Sequence, residues 1–189
     1  MGQVENLTKK DSPSYIIAEA GVNHNGDMEI AKQLIREAKK AGADCVKFQT
    51  FKSSDVASEN AEKAKYQKIS TGSRQKQVDM LRELEFRDAH FIELFEECTK
   101  VDIAFASTPY NANDIKFLDE LGVSFLKSSS MHLVELDFLR KIALTGRPLV
   151  ISTGMATIEE VDSAVEVIKQ TQNTNFTLLQ CTTNYPTEI

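Results

Sequence analysis

Two lysines lie within otherwise apolar stretches of this chain of 189 residues. Lys47 stands in the run CVKFQT, and Lys127 stands in the run SFLKSS. Burying an ammonium group is costly unless a negative charge meets it. One interpretation is a pair of buried salt bridges, for example to Glu19. Two such lysines among many Ser and Thr hydroxyls favour the other interpretation, a bound phosphate or carboxylate group.

Polar side chains follow each apolar run at the point where it ends. In chain order they are Glu19, Asn23, His24, Lys47, Gln49, Thr50, Ser107, Thr108, Tyr110, Lys127, Ser128, Ser129, Ser130, Ser152, Thr153, Gly154, Thr182, Thr183, Asn184 and Tyr185. Lysines and hydroxyls hold phosphate and carboxylate oxygens, while a carboxylate can accept or donate a proton.

The segment 152–155, Ser-Thr-Gly-Met, has two interpretations. It forms a turn after a strand, in which Gly154 permits a positive φ, or it forms a nest of hydroxyl and amide groups that holds phosphate at a helix start. The capping box at 157–160 favours the second interpretation. His24, in the turn Asn-His-Asn-Gly, is interpreted first as a polar turn residue.

Six apolar runs alternate with amphipathic stretches of helical period. The runs are SYIIAE, CVKFQT, IAFAST, SFLKSS, PLVIST and FTLLQCTT. Strands that are apolar along their whole length are buried on both faces, as in a parallel sheet covered by helices. The pattern therefore predicts an α/β fold of successive βα units, whose strand ends meet at one mouth.

The predicted helices carry start and stop signals. Asp27 is placed to cap the first helix and Gly42 to end it. Asn111 or Asn113 caps a later helix, which Gly122 ends. Two further helices are predicted near 78–84 and 89–100. They follow a polar insertion at roughly 52–75, which is either a functional lid or a disordered segment.

The composition restricts the class of protein. With 22 Lys and Arg against 28 Asp and Glu, the net charge is −6, which argues against a nucleic-acid partner. No apolar run approaches the roughly eighteen residues that span a bilayer, and the polar first residues do not resemble a signal peptide. We therefore expect a cytoplasmic protein without a membrane partner.

The cysteines and histidines are widely spaced, and no pair has the spacing of a metal motif. They are Cys45, Cys98, Cys181, His24, His90 and His132. The cysteines are expected to be reduced thiols in the core, and no metal ligand is expected in this chain.

Six segments at the strand ends, taken in order, resemble a known family. They read IIAEAGVNHNGD, AGADCVKFQTF, FASTPY, LKSSS, RPLVISTGMAT and LLQCTTNYP. In order and spacing they resemble the phosphoenolpyruvate-condensing synthases of sialic (N-acetylneuraminic), legionaminic and pseudaminic acids. The likeness runs from about Ser14 to the last residue. It implies a (β/α)8 TIM barrel, of which this chain holds about six βα units.

The resemblance also implies an activity and its partners. A carbon of phosphoenolpyruvate attacks the aldehyde of open-chain N-acetylmannosamine or a related diacetamido sugar, water captures the resulting cation, and phosphate leaves. A divalent metal, Mn or Mg, is expected in the full-length enzyme. A homodimer is expected as well.

Motif by motif, the resemblance implies roles for particular residues. Glu19 matches the acidic residue near the reacting centre and is the catalytic candidate. The substrate-binding candidates are Lys47, Gln49, Thr108, Lys127, Ser130, His132, Ser152, Thr183, Asn184 and Tyr185.

Two motifs depart from the family pattern. After the fourth strand the family commonly has Gly and an acid where Met131 and His132 stand. A sugar that meets an imidazole there is expected to differ from N-acetylmannosamine at the contacted hydroxyl. In the sixth motif Thr183 replaces an Asn, and Asn184 beside it can supply the amide.

Length is the third departure. A complete barrel takes about 250 residues, so residues 1–189 are interpreted as the N-terminal part of a barrel domain, inactive alone. The resemblance implies two metal-ligating histidines and a small antifreeze-like domain further along. One alternative is another phosphoenolpyruvate-condensing sugar-acid synthase, but Arg147, in a turn before a strand, is on the wrong face to bind a sugar phosphate. The other alternative is a non-catalytic anion-binding fragment.

Overall fold

The structure, a computed structural model, describes residues 13–58 and 76–183. Its strands are β1 Ile17–Gly21, β2 Cys45–Thr50, β3 Ala104–Pro109, β4 Leu126–Ser128, β5 Leu149–Ser152 and β6 Phe176–Leu179. Its helices are α1 Met28–Lys40, α2 Ser53–Val56, α3 Gln77–Leu84, α4 Asp88–Lys100, α5 Ala112–Leu121, α6 Leu136–Ala143 and α7 Ile158–Gln170, and a 3-10 turn, Ser130–His132, follows β4.

The strands are parallel and follow one another in space in the order of the chain. β1, β2 and β3 form one hydrogen-bonded sheet, and β4, β5 and β6 form a second. The two sheets meet where β3 lies beside β4. These findings confirm the predicted α/β fold of parallel βα units, and each predicted apolar run overlaps one of the strands.

The two faces of the strands have different neighbours. A large apolar cluster joins one face to the helices through side chains such as Phe48, Leu94 and Leu126. Successive residues of a strand point to opposite faces. On the other face Cys45, Ala106, Phe125 and Val150 form a smaller apolar cluster. That cluster lies towards the amino ends of the strands, so the polar residues two positions further along share its face.

The helix signals are confirmed in detail. The Asp27 carboxylate accepts hydrogen bonds from the backbone N–H groups of Glu29 and Ile30 at 2.8 and 3.1 Å, and so caps α1. Of the two asparagines proposed for α5, Asn111 is the cap, with Oδ1 2.9 Å from the backbone N of Asp114. The helices predicted near 78–84 and 89–100 are α3 and α4. Most of the polar insertion, 59–75, lies outside the described residues.

Arg147 lies in the turn that leads into β5, at the end of the strand far from the proposed site. Its guanidinium group pairs with the Asp119 carboxylate and donates to the backbone oxygens of Val123 and Asp119, each at 2.7 Å. The side chain therefore holds the end of α5 against the start of β5. This confirms its predicted position.

The described cysteines are free thiols, as predicted. Cys45 and Cys98 are buried, and Cys181 is partly exposed. Burial raises the pKa of Cys45 to about 12, so that thiol stays protonated. Among the described helices, none has both the length and the apolar character needed to cross a membrane.

Candidate functional site

The predicted site residues of the first five strands converge because the strands are parallel. Lys47 and Gln49 lie on the β2 face that also carries Cys45. Thr108, Lys127 and Ser152 hold the equivalent positions, two residues beyond a residue of the smaller apolar cluster. Alternation along each strand therefore places these polar groups above an apolar floor, at the carboxyl ends of the strands.

Of the two interpretations offered for Lys47, the structure shows the buried salt bridge to Glu19. Its Nζ lies 2.7 Å from Oε2 of Glu19 and donates to Oγ1 of Thr108 at 3.1 Å. Lys47 is buried, whereas half of the Glu19 side chain is exposed. The pair therefore links β1, β2 and β3 and leaves the carboxylate of Glu19 open to the mouth.

Lys127 has a different environment. Its Nζ donates to Oγ of Ser152 at 2.6 Å and to the backbone oxygen of Ser128 at 2.7 Å. No carboxylate of the described residues lies within 4.0 Å of this ammonium group. Burial, and then the nearby charge of Lys47, lowers the pKa of Lys127 to about 8.

This arrangement leaves Lys127 able to receive an anion. The side chain is 8% exposed, so water provides little solvation for its charge. An ammonium group has three N–H donors, and neutral oxygens accept from two of them. The third donor and the uncompensated charge suit a phosphate or a carboxylate.

The loops after β4, β5 and β6 meet around Gly154. Its backbone N–H donates to Oγ of Ser130 at 3.0 Å. A Cβ on Gly154 would lie 2.9 Å from that oxygen and 3.0 Å from Cγ2 of Thr183. A side chain at position 154 would therefore crowd the side chains of Ser130 and Thr183, which would have to shift. The positive φ predicted for Gly154 occurs one residue later, at Met155, whose φ is 66°.

The contact with Ser130 bears on the proposed phosphate nest. The Gly154 N–H already donates to Oγ of Ser130, so the structure shows a turn that is hydrogen-bonded to the loop after β4. The side chains of Ser130 and Thr183 nevertheless lie beside Gly154, in the loop that begins at Ser152. Asn184 and Tyr185 lie outside the described residues, and their proposed roles remain predictions.

Tyr110 joins the site, although the sequence assigned it no role beyond its place at a strand end. Its hydroxyl donates to Oε1 of Gln49 at 3.3 Å. Its backbone N–H donates to Oδ2 of Asp114 at 3.1 Å. The sequence signal for a role of Tyr110 was its place directly after the Ser-Thr-Pro segment. Its partner, Gln49, could not be predicted because it depends on the register between β2 and β3.

His132 is buried, with 2% of its surface exposed. Its ring stacks on Phe138 with centroids 4.2 Å apart, and it meets the ring of Tyr110 edge-on at 5.4 Å. Nδ1 and Oγ of Ser129 share a hydrogen bond of 3.0 Å. Burial lowers the pKa of His132, which favours the neutral ring. Packing accounts for this placement, and a contact with sugar remains a prediction.

His24 is confirmed as a structural residue of its turn. It is buried, its ring stacks on Phe86 at 3.9 Å, and Nδ1 accepts from the backbone N–H of Gly26 at 3.0 Å. Burial lowers its pKa to about 4, so the ring is neutral at physiological pH.

The described residues do not fit a metal. Among them, no three His, Cys, Asp or Glu side chains form a group that could hold an ion. Glu19, the carboxylate at the mouth, is instead paired with Lys47.

The fold and the site together define a parallel α/β protein whose cations and hydroxyls converge at the carboxyl ends of its strands. The chain belongs to the NeuB family, which matches residues 34–189. The family resemblance of the six strand-end segments is thus confirmed.

Relatives of known name extend over most of the chain. The N,N'-diacetyllegionaminic acid synthase of Campylobacter jejuni is 43% identical over 175 residues, which are 92% of this chain and 52% of that protein. The human N-acetylneuraminate-9-phosphate synthase is 38% identical over 178 residues, 92% of this chain and 48% of that protein. This chain thus spans about half the length of these relatives.

A solved structure has the same fold. The crystal structure of N-acetylneuraminic acid (sialic acid) synthetase from Leptospira borgpetersenii, in complex with citrate, superposes with a TM-score of 0.80 at 32% identity. The match covers 94% of this chain and 57% of that chain.

Proposed function

We propose that the full-length protein condenses phosphoenolpyruvate with N-acetylmannosamine or a related diacetamido sugar, forming a nonulosonic acid and releasing phosphate. The observation that carries the proposal is the buried ammonium of Lys127, which meets only neutral oxygens among the described residues. Membership of the NeuB family and the named synthases among the relatives support it.

In this proposal the two lysines hold the anionic substrate. Lys127 and Ser152 bind one acidic group of phosphoenolpyruvate, and Lys47 with Thr108 lies close enough for its charge to lower the pKa of Lys127. Charge-assisted hydrogen bonds from ammonium groups are the strongest of the available contacts. Ser130 and Thr183 add hydroxyls from the neighbouring loops.

The reaction needs one carbon–carbon bond and the net addition of one water. The methylene carbon of phosphoenolpyruvate bonds to the aldehyde carbon, and the aldehyde oxygen takes a proton to become a hydroxyl. Water adds to the cationic carbon, and the phosphate leaves as a keto group forms. Glu19, half exposed and beside Lys47, is placed to move the proton of water or of the sugar.

The relatives and the departure from the family pattern at His132 support a choice of sugar class. Two diacetyllegionaminic acid synthases share 43% and 42% identity with this chain, against 38% for the human enzyme. The neutral His132 ring stands where the family commonly has an acid. We therefore favour a diacetamido sugar as the acceptor.

The remaining parts of the proposal concern the whole protein. The six described strands belong to a (β/α)8 barrel in this proposal, and the enzyme is a cytoplasmic homodimer that uses Mn²⁺ or Mg²⁺. The match to sialic acid synthetase over 94% of this chain supports the barrel. None of the described residues is a ligand of the metal in this proposal.

The test is condensation by the full-length protein, followed as phosphate release and product mass. Phosphate release with phosphoenolpyruvate and a diacetamido or acetamido hexose, but not with a phosphorylated aldose, is the expected result. Release with a phosphorylated aldose that lacks an acetamido group would favour another sugar-acid synthase. Binding of phosphoenolpyruvate without release with any acceptor would identify a non-catalytic anion-binding protein.

A further inference from the structure

We propose that Tyr110 is a positioning residue that fixes the side-chain amide of Gln49, so that the amide nitrogen faces Glu19 and the sugar. The inference rests on the proposed function and takes Gln49, a substrate-binding candidate from the family resemblance, as a residue that contacts the sugar. Tyr110 itself acts through Gln49 and is assigned no contact with substrate.

The two ends of the Gln49 amide differ in chemistry. The oxygen only accepts hydrogen bonds, and the nitrogen only donates them. The Tyr110 hydroxyl lies 3.3 Å from Oε1, so it donates to the oxygen and leaves Nε2 pointing the other way. Among the described residues, the hydrogen bond from Tyr110 is the one that the Gln49 side chain makes.

Glu19 makes the opposite orientation unfavourable. A Cβ built on Gly21 would lie 3.0 Å from Oε1 of Glu19 and 3.5 Å from Nε2 of Gln49, so both atoms border the same small space. If the amide were turned over, its oxygen would face the carboxylate oxygen across that space, and two acceptors repel each other. Tyr110 and Glu19 therefore select the same orientation from opposite sides.

The space above Gly21 is suited to a hydroxyl group. Gly21 has a φ of +52° and no side chain, which keeps the space open. An oxygen placed there would meet one acceptor, the Glu19 carboxylate, and one donor, the Gln49 amide. A hydroxyl both donates and accepts, whereas a phosphate oxygen would meet the negative charge of Glu19. The orientation that Tyr110 sets thus favours the neutral polyol substrate over an anion.

Tyr110 is held firmly enough to serve this purpose. Its backbone N–H and that of Asn111 donate to Oδ2 of the buried Asp114, at 3.1 and 3.2 Å. Its ring packs edge-on against His132 at 5.4 Å and against Phe51 at 5.9 Å. Both sets of contacts survive the loss of the hydroxyl, so Tyr110→Phe keeps the ring in place and removes the hydrogen bond to Gln49.

The test is a double-mutant cycle in the full-length protein with Tyr110→Phe and Gln49→Ala. We expect Tyr110→Phe to raise KM for the sugar about fivefold, the effect of one neutral hydrogen bond. The affinity for phosphoenolpyruvate, measured by calorimetry, should change by less than about twofold, because Lys127 and Ser152 are untouched. In the Gln49→Ala background, Tyr110→Phe should have no further effect on KM.

Tyr15→Phe is the matched control, because Tyr15 precedes β1 and packs edge-on to Phe125 at the other end of the strands. Tyr15→Phe should change neither the KM for the sugar nor the affinity for phosphoenolpyruvate. Additive effects of the two substitutions, an unchanged KM in Tyr110→Phe, or equal losses for sugar and phosphoenolpyruvate would overturn the role of Tyr110. If the wild type neither binds phosphoenolpyruvate nor condenses it, the proposed function fails first and the inference falls with it.

Discussion

Replacing Lys127 by methionine should change ligand binding and stability in opposite directions. Methionine keeps most of the length of the side chain and removes the ammonium group that Ser152 and the Ser128 carbonyl contact. The variant should bind phosphoenolpyruvate more weakly and yet unfold at a higher denaturant concentration than the wild type.

The expected gain in stability follows from the pKa of Lys127. A pKa lowered from 10.5 to about 8 means that the folded protein holds the charged form less favourably than the unfolded chain does. The difference is about 3 kcal/mol at neutral pH, where both states carry the proton. Two hydrogen bonds are lost on substitution, each worth about 1 kcal/mol. The net gain is on the order of 1 kcal/mol.

The expected loss in binding comes from one charge-assisted hydrogen bond. Such a bond contributes about 1.5 to 3 kcal/mol, and the lower value corresponds to about a tenfold change in Kd. We therefore expect Lys127→Met to weaken phosphoenolpyruvate binding by at least about tenfold. Calorimetric titration measures the affinity, and urea unfolding at neutral pH measures the stability.

Lys116→Met is the matched control, because the Lys116 side chain is 75% exposed on α5 and, among the residues that the structure describes, pairs only with Glu120. It should change neither quantity measurably. The reasoning is refuted if Lys127→Met binds phosphoenolpyruvate as the wild type does. A loss of stability of more than about 1 kcal/mol would likewise show that its two hydrogen bonds outweigh the cost of the buried charge.

Two further predictions concern pH and a glycine. Phosphoenolpyruvate affinity should fall as the pH rises through about 8, because Lys127 of the free protein then loses its positive charge, and calorimetry of Lys127→Met should show no such step. An equal step in that variant would assign the titration to another group. Gly26→Ala should lower the free energy of unfolding by about 2 kcal/mol more than Gly122→Ala, as measured in urea. Both glycines have positive φ, but a Cβ on Gly26 would lie 2.4 Å from the backbone oxygen of Glu83, whereas a Cβ on Gly122 would meet no atom within 4 Å. Equal losses would contradict the steric argument.

The fold was largely predictable because its signals are local and repeated. Apolar runs of strand length and caps such as Asp27 and Asn111 each require only neighbouring residues to be interpreted. The strand ends could also be predicted as the place of the polar groups, because parallel strands bring those ends together. The described site accordingly contains Glu19, Lys47 and Lys127.

The contacts within the site could not be predicted in the same way. Lys47 and Lys127 look equivalent in sequence, yet one meets a carboxylate and the other meets neutral oxygens. That difference depends on the staggering of strands far apart in the chain. Gly154 likewise shows no sequence sign that its amide would bind Ser130 across two loops.

The unequal lysines suit the site to the highly charged anion that the proposed function requires. The charge of Lys47 is matched by Glu19, so that pair offers hydrogen bonds and orientation but little net field. Lys127 leaves one positive charge without a counter-charge among the described residues, in surroundings that lower its pKa. A ligand with a full negative charge therefore gains from Lys127 an attraction that a neutral sugar does not, and its binding should raise that pKa again. In the proposed function the sugar lies on the opposite side of the mouth, where Glu19 and Gln49 present one acceptor and one donor.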